Sequence, residues 1–349
     1  MDGFRFDLAS ILSRNRHGEL IPNPPMVEVI AEDPMLADTK IIAEAWDAAG
    51  AFQVGHFATS RWAEWNGLYR DNIRRYWRGD PGMTGTMATR LAGSSDLYQP
   101  SGRQPYHSIN FVTSHDGYTL GDLVSYERKH NQDNGEDNRD GDNNNYSSNY
   151  GMEGPTRRRP IVRLRRRQAK NFMATLILSQ GVPMLLAGDE VLRTQRGNNN
   201  AYCQDNAVTW FDWRLVERNA EMLRFVKSLI AFRLRQPNLR RGAFLTGGAA
   251  QPNRLPDVSW FGPTGKTVDW ATTHHSLTCI FGRSGLEDPA ARAVMILMHS
   301  GQQPQAFVIP QAAAAFRWRL FIDTETEYPN DIYPEADGPQ LDTSRALTL

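Results

Sequence analysis

Three short apolar runs constrain this chain more than anything else in it, because each ends in a carboxylate. They are Gly3-Phe4-Arg5-Phe6-Asp7, Lys40-Ile41-Ile42-Ala43-Glu44 and Asn110-Phe111-Val112-Thr113-Ser114-His115-Asp116. Side chains alternate along a strand, so Gly3, Arg5 and Asp7 share one face while Phe4, Phe6 and Leu8 share the other. The apolar face suits packing under helices, and the polar face must look into something polar. A cation beside a carboxyl favours the ionised form, which a nucleophile needs at neutral pH. Taken alone, the first run could equally be a structural Arg–Asp pair at a strand end. Helix-length segments separate the three runs, however, and alternating strand and helix imply a parallel sheet. Parallel strands put their C-terminal ends on one side, which in a barrel is the side that carries catalytic residues. Asp7, Glu44 and Asp116 are therefore expected to converge.

The remaining composition excludes several classes. Lys plus Arg equals Asp plus Glu, at 39 each, so no global charge recruits nucleic acid or an acidic membrane. The hydrophobic share of 40% and charged share of 22% are those of a soluble globular protein. No apolar run is long enough to span a membrane, and acids rather than a basic stretch follow Met1, unlike a signal peptide. The two cysteines, Cys203 and Cys279, lie far apart and make no disulfide framework or metal spacing, which fits the cytoplasm. Nine tryptophans suit sugar rings and cores equally.

The segments GFRFDLA, IIAEAW and FVTSHD resemble signature segments of the α-amylase clan of glycoside hydrolases. The closer resemblance is to isoamylase and the bacterial glycogen debranching enzymes. It is carried by Trp62-Ala63-Glu64-Trp65-Asn66-Gly67, Tyr69-Arg70-Asp71, Tyr76-Trp77-Arg78-Gly79-Asp80 and Gly188-Asp189-Glu190. Gly197-Asn198-Asn199-Asn200-Ala201-Tyr202-Cys203-Gln204-Asp205-Asn206 adds to it. The resemblance runs from about Asp2 to Asn238 and thins beyond. It implies an α/β fold: the C-terminal half of a (β/α)8 TIM-type barrel over residues 1–240, then a small antiparallel β-sandwich over 241–349. In the family the nucleophile strand is about the fourth of eight. The earlier strands, an Asn-His segment and an N-terminal sandwich have no counterpart here, so the resemblance implies a truncated enzyme of impaired activity. The partners implied are an α-glucan such as glycogen or a limit dextrin, and the family's N-terminal half.

Along the chain, one helix is expected within Ser10–Asp38, and a substrate-side loop over Trp46–Phe57. Trp62–Trp65 reads as a short strand. Helices follow over Tyr69–Trp77 and Gly82–Leu91, and the third acid run reads as a strand up to Asp116. His130–Asn149 is crowded with Asn, Asp and Gly. As a calcium loop it fails: with Gly141 as the turn glycine, Glu136, Asn138 and Asp140 take ligand positions, but Ser147 stands where the closing acid belongs. Tyr146, Tyr150 and the resemblance favour an ordered active-site loop over disorder. Arg157–Arg159 and Arg163–Arg167 form one basic cluster. Zero net charge and the lack of interleaved aromatics favour the solvated start of a helix over nucleic-acid binding. That helix buries Leu164, Ala169, Phe172, Met173, Leu176 and Ile177, and Gly181 stops it. Val182–Leu186 is the last barrel strand, and Leu215–Arg235 a helix that closes the barrel.

Beyond Arg241, strands are expected at Val258–Phe261, Leu277–Phe281, Ala293–Met298, Ala306–Ile309 and Trp318–Ile322. His274 and His275 are adjacent, so on a strand they point to opposite faces and make no metal site.

The resemblance assigns Asp7 as nucleophile and Glu44 as acid/base of a retaining mechanism. Apolar neighbours of Glu44 (Ile42, Ala43, Ala45 and Trp46) favour its protonated form. Asp116 matches the third acid, which grips sugar hydroxyls, with His115 donating to the same ring. Arg5, Trp46 and Trp65 complete the substrate-binding set. No metal, redox cofactor or phosphate loop is called for. The debrancher-like segments point to hydrolysis of α-1,6 branch points in glycogen-like glucans. The alternatives are an inactive glucan-binding remnant, or another hydrolase or transferase of the clan.

Overall fold

The computed structural model describes residues 2–58, 61–248, 255–271, 275–335 and 337–349. The chain starts with β1 (Gly3–Phe6), α1 (Pro25–Glu32), β2 (Lys40–Ala43) and β3 (Ala63–Trp65). Helices α2 (Gly67–Arg78), α3 (Thr84–Leu91) and α4 (Ser95–Tyr98) come next, then β4 (Ser108–Asn110) and α5 (Leu120–Leu123). The long helix α6 (Arg159–Leu178) leads to β5 (Val182–Pro183), and α7 (Leu215–Arg218) to α8 (Ala220–Arg235). The last segment holds β6 (Ser259–Phe261), β7 (Ser276–Phe281), β8 (Val294–His299), β9 (Ala306–Phe307), α9 (Gln311–Ala314) and β10 (Leu347–Thr348).

Strands β1 to β5 form one parallel sheet in chain order. Phe6 pairs with Ala43 and Ala43 with Glu64, so Asp7 and Glu44 leave adjacent strands at one level. The first pairing needs Gly3: a Cβ there would lie 2.7 Å from the Lys40 carbonyl oxygen. Leu8 ends β1 abruptly, with φ 43° and ψ 45°, a left-handed conformation that costs an ordinary side chain roughly 1–2 kcal/mol.

Helices cover the sheet because their apolar stripes have nowhere else to go. Asn66 caps α2 by accepting from the Tyr69 amide at 2.8 Å, and Gly79 ends it at φ 91°. The buried side of α2 carries Tyr69, Ile73, Tyr76 and Trp77. It meets α6 through Trp77 Nε1–H, which donates to Thr175 Oγ1 at 2.9 Å. Ala169, Phe172, Met173 and Leu176 of α6 share one core with Phe225, Val226 and Leu229 of α8. Phe225 is wholly buried there, and truncating such a ring to alanine costs about 3–5 kcal/mol.

β6, β7 and β8 form an antiparallel sheet, and β9 pairs with β10 in a second. Every residue of β7 is buried. Its alternation serves two cores: Leu277, Cys279 and Phe281 join the α2–α6–α8 core, while Ile280 packs with Leu255, Ile309, Ala313 and Trp318.

Four expectations need correction. The strand expected to run to Asp116 stops at Asn110, because the chain beyond it bonds to side chains and loops rather than to a sheet. The strand expected over Val182–Leu186 is only Val182–Pro183. Trp318–Ile322 makes isolated bridges, Arg319 with Gln340 and Ile322 with Ile332, instead of a strand. The basic cluster is not simply solvated: Arg165 is buried and donates to the carbonyls of Gly154 and Asn149, while Arg166 pairs with Glu221 and Arg167 with Glu325. His274 lies outside the described residues; the His275 carbonyl accepts from the Tyr76 hydroxyl at 2.9 Å.

Candidate active site

The C-terminal ends of β1 and β2 bring two acids to one cation. Arg5 Nη1 donates to Asp7 Oδ1 at 2.6 Å, and Arg5 Nη2 lies 2.9 Å from Glu44 Oε1. The left-handed turn at Leu8 directs its amide toward Glu44, donating to Oε2 at 2.8 Å. The two acids sit in opposite settings: the Asp7 side chain is 67% exposed and that of Glu44 only 3%. Burial raises the Glu44 pKa, partly offset by the Leu8 amide and the Arg5 charge; the Asp7 carboxyl raises it further.

Arg5 also links this pair to the other side of the site. Its guanidinium lies over the Trp65 ring, 4.1 Å from the centroid. Trp65 packs edge-on against His115, with centroids 5.8 Å apart, and His115 Nε2 is 3.4 Å from Asp116 Oδ2. One continuous series of contacts therefore joins Asp7, Glu44, Arg5, Trp65, His115 and Asp116. Trp46 follows Glu44 but stands apart from that series. It stacks on Phe52 at 6.1 Å and covers Gly67, where α2 begins.

Asp116 reaches this place on a loop, six positions past Asn110, and not at a strand end. Buried charges hold that loop. Arg74 Nε donates to the Val112 carbonyl at 2.8 Å and its Nη1 to that of Asn145 at 3.0 Å. Asp189 accepts from Thr113 Oγ1 and, at 2.8 Å, from the Leu120 amide. Gly117 donates its amide to the Asn199 carbonyl at 3.0 Å.

The Asn-rich stretch is ordered as a wall beside this loop. Asn131 and Asn199 exchange two bonds, at 2.8 and 3.0 Å, and Asn199 also donates to Asn145 at 2.9 Å. Asp140, at a ligand position of the incomplete calcium pattern, accepts from Asn134 and Asn200 at 2.7 and 2.8 Å.

Sequence reasoning gave no role in the site to Arg74, Asp189 or Arg103. Arg103 forms a wholly buried ion pair with Glu64, and Glu64 also accepts from the Gly55 amide at 2.5 Å. This pair ties the Trp46–Phe57 loop to β3. The available signal was a lone glutamate between Trp62 and Trp65 on an otherwise apolar strand. Arg103, 39 residues on, gave no matching signal.

The chain thus holds a parallel sheet with acids gathered at one end. A pullulanase from Bacillus acidopullulyticus superposes with a TM-score of 0.66 at 17% identity, over 100% of this chain and 36% of that one. That likeness speaks to the fold. In sequence, the chain is 43% identical over 337 residues to a glycogen operon protein GlgX homolog of Mycobacterium tuberculosis, covering 93% of this chain and 46% of the relative. It is likewise 43% identical over 337 residues to the chloroplastic isoamylase 3 of Oryza sativa subsp. japonica, covering 96% and 41%. The chain is a relative of the isoamylase and glycogen-debranching group, and it spans somewhat under half the length of these curated relatives. No family model matches it. Among the described residues, no helix is long and apolar enough to cross a membrane.

Proposed function

We propose that this chain carries the catalytic carboxyls of a retaining glycoside hydrolase that cleaves α-1,6 branch points in glycogen-like glucans, in the cytoplasm. The observation that carries the reading is the Asp7–Arg5–Glu44 contact, with one acid open and the other buried and raised in pKa. Retaining enzymes need such a division, with carboxyls about 5–5.5 Å apart. In this reading Asp7 attacks the anomeric carbon while Glu44 gives its proton to the departing glycosidic oxygen. Glu44, now ionised, takes a proton from the water that releases the sugar from Asp7. Asp116 and His115 hold hydroxyls of the same ring, and Arg5 and Trp65 line the site between the acids and His115, with Trp46, on Phe52, outside that series of contacts. The branch-point preference rests on the kinship with isoamylases and a glycogen operon protein.

The five ordered parallel strands suit an arc of a (β/α)8 barrel within residues 1–240. The antiparallel sheets suit a β-sandwich over 241–349. Amylopectin decides the specificity. Branch-point cleavage releases linear chains and deepens the iodine stain. Rapid loss of the stain, with maltose appearing, would mean internal α-1,4 cleavage and sink the branch-point reading.

A further inference from the structure

We propose that Asp189 is a positioning residue for the His115–Asp116 tip, its two carboxylate oxygens each holding one shoulder of the loop. The inference rests on the reading of Asp116 as a substrate-gripping acid. Thr113 Oγ1–H donates to Oδ2 and the Leu120 amide donates to Oδ1, so a single side chain pins both sides of the turn. Between these pins the tip stands open: Asp116 is 68% exposed and makes no sheet bond that would fix it. Asp189 itself is fully buried.

Neighbouring bonds brace the same two shoulders. Arg74 holds the Val112 carbonyl, one residue before Thr113. Thr119 Oγ1, one residue before Leu120, donates to the Arg193 carbonyl at 2.7 Å. The brace is also tied to the loop that carries Asp189, since Arg193 bonds back from its amide to the Gly188 carbonyl at 2.8 Å. The carboxylate suits this post because both donors need acceptors. An amide at the position offers one acceptor oxygen, enough for the Leu120 amide, and meets Thr113 only if that bond is reversed. The Gly188–Asp189–Glu190 segment, noted in the sequence only as a resemblance, thereby acquires a physical task.

The test compares Thr113→Val, which removes one pin at nearly constant shape, with Thr113→Ser, which keeps the hydroxyl, and with Asp189→Asn. Amide hydrogen exchange of residues 114–117, the His115 imidazole NMR signals and maltotetraose binding are measured on the 349-residue chain. Thr113→Val and Asp189→Asn should speed exchange at the tip about tenfold, the scale set by one unsatisfied buried partner. Both should shift the His115 signals and weaken maltotetraose about as much as Asp116→Ala does, and Thr113→Ser should restore wild-type behaviour. Exchange that stays slow at the tip in Thr113→Val, or rises equally through α2, α6 and α8, would overturn the inference. So would a Thr113→Ser variant that behaves like Thr113→Val. If Asp116→Ala leaves maltotetraose binding unchanged while the exchange pattern holds, the substrate role of Asp116 fails and the clamp stands.

Discussion

Arg5 Nη2 lies 2.9 Å from Glu44 Oε1 while its other terminal nitrogen holds Asp7, so one cation is shared by both carboxyls. Burial raises the Glu44 pKa, Arg5 opposes the rise and Asp7 adds to it. Each contribution can be removed separately. Arg5→Gln should move the Glu44 titration further up, and Asp7→Asn should move it down. Carbon-13 NMR of the labelled Glu44 carboxyl reads both shifts. Movement of either variant in the opposite direction would mean that rearrangement, not direct interaction, governs the pair.

The roles of the two acids separate from their contribution to binding. Asp7→Asn and Glu44→Gln should each lower hydrolysis of amylopectin at least about a hundredfold, the scale of a lost acid–base or nucleophilic group. Both should leave glucan affinity near wild type. On a substrate whose leaving group departs without protonation, added azide should rescue the corresponding alanine variants, attacking the sugar in place of Asp7 or, without Glu44, attacking the glycosyl–Asp7 intermediate with no need of a general base. If azide rescues neither and both lose glucan binding instead, these residues are substrate contacts, not the reacting acids.

Much of this site was legible in the sequence because it is built locally. A strand ending in an acid needs only its own residues to announce itself, and β1 and β2 do so at Asp7 and Glu44. The third acid was located but its support was not. Asp116 stands on a loop whose order comes from Arg74 and Asp189, residues 42 positions before it and 73 after it. No periodicity records such long-range pairing. The same limit explains the basic cluster. Arg166 and Arg167 look solvated on their own helix, but their partners Glu221 and Glu325 lie far along the chain.

Beside that cluster, Lys170 and Arg224 form ion pairs of a different kind. Asp331 is fully buried and takes both Lys170 of α6, at 2.8 Å, and Arg224 of α8. Asp331→Ala leaves a buried lysine without its counter-charge, which should cost about 3–5 kcal/mol. Arg167→Gln breaks an exposed pair and should cost no more than about 1 kcal/mol. Urea titrations of the two variants check the contrast. Equal losses would mean that the Asp331 cluster holds nothing together.

Asp189 gives stability a pH dependence with a definite sign. Burial raises its pKa to about 7, against about 3.9 in an unfolded chain. Between those values the folded state keeps a proton that the unfolded state has lost, so this group's contribution to stability falls as pH rises from about 4 to 7. Above about 7 the contribution is flat. Asp189→Asn removes the titration, so the difference in unfolding free energy between wild type and variant should change across that window and be constant above it. Urea midpoints measured from pH 4 to 8 provide the test. A pH-independent difference would show that Asp189 stays charged throughout.

The sheet itself leads to the last prediction. β1 and β5 are its outer strands, and each lacks a neighbour on one side among the described residues. Unpaired strand edges recruit other strands, whereas a closed barrel has none. Apolar side chains stand open at both edges, Phe4 at 41% exposed and Val182 at 40%, and nearby Met26, Val29 and Met35 are exposed as well. The curated relatives are more than twice as long as the segment matched here, so a further segment is available in them that could cover such edges. Residues 1–349 alone should therefore self-associate with rising concentration. They should also debranch amylopectin far below the order of 1–10³ s⁻¹ typical of enzymes, because water reaches the Asp7 carboxyl, 67% exposed. Supplying the remaining segment of a close relative in trans should suppress the association and raise the rate together. Analytical ultracentrifugation and release of reducing ends, measured on the same samples, read the two effects. A monodisperse monomer that debranches at ordinary enzymatic rates would mean that these edges need no cover.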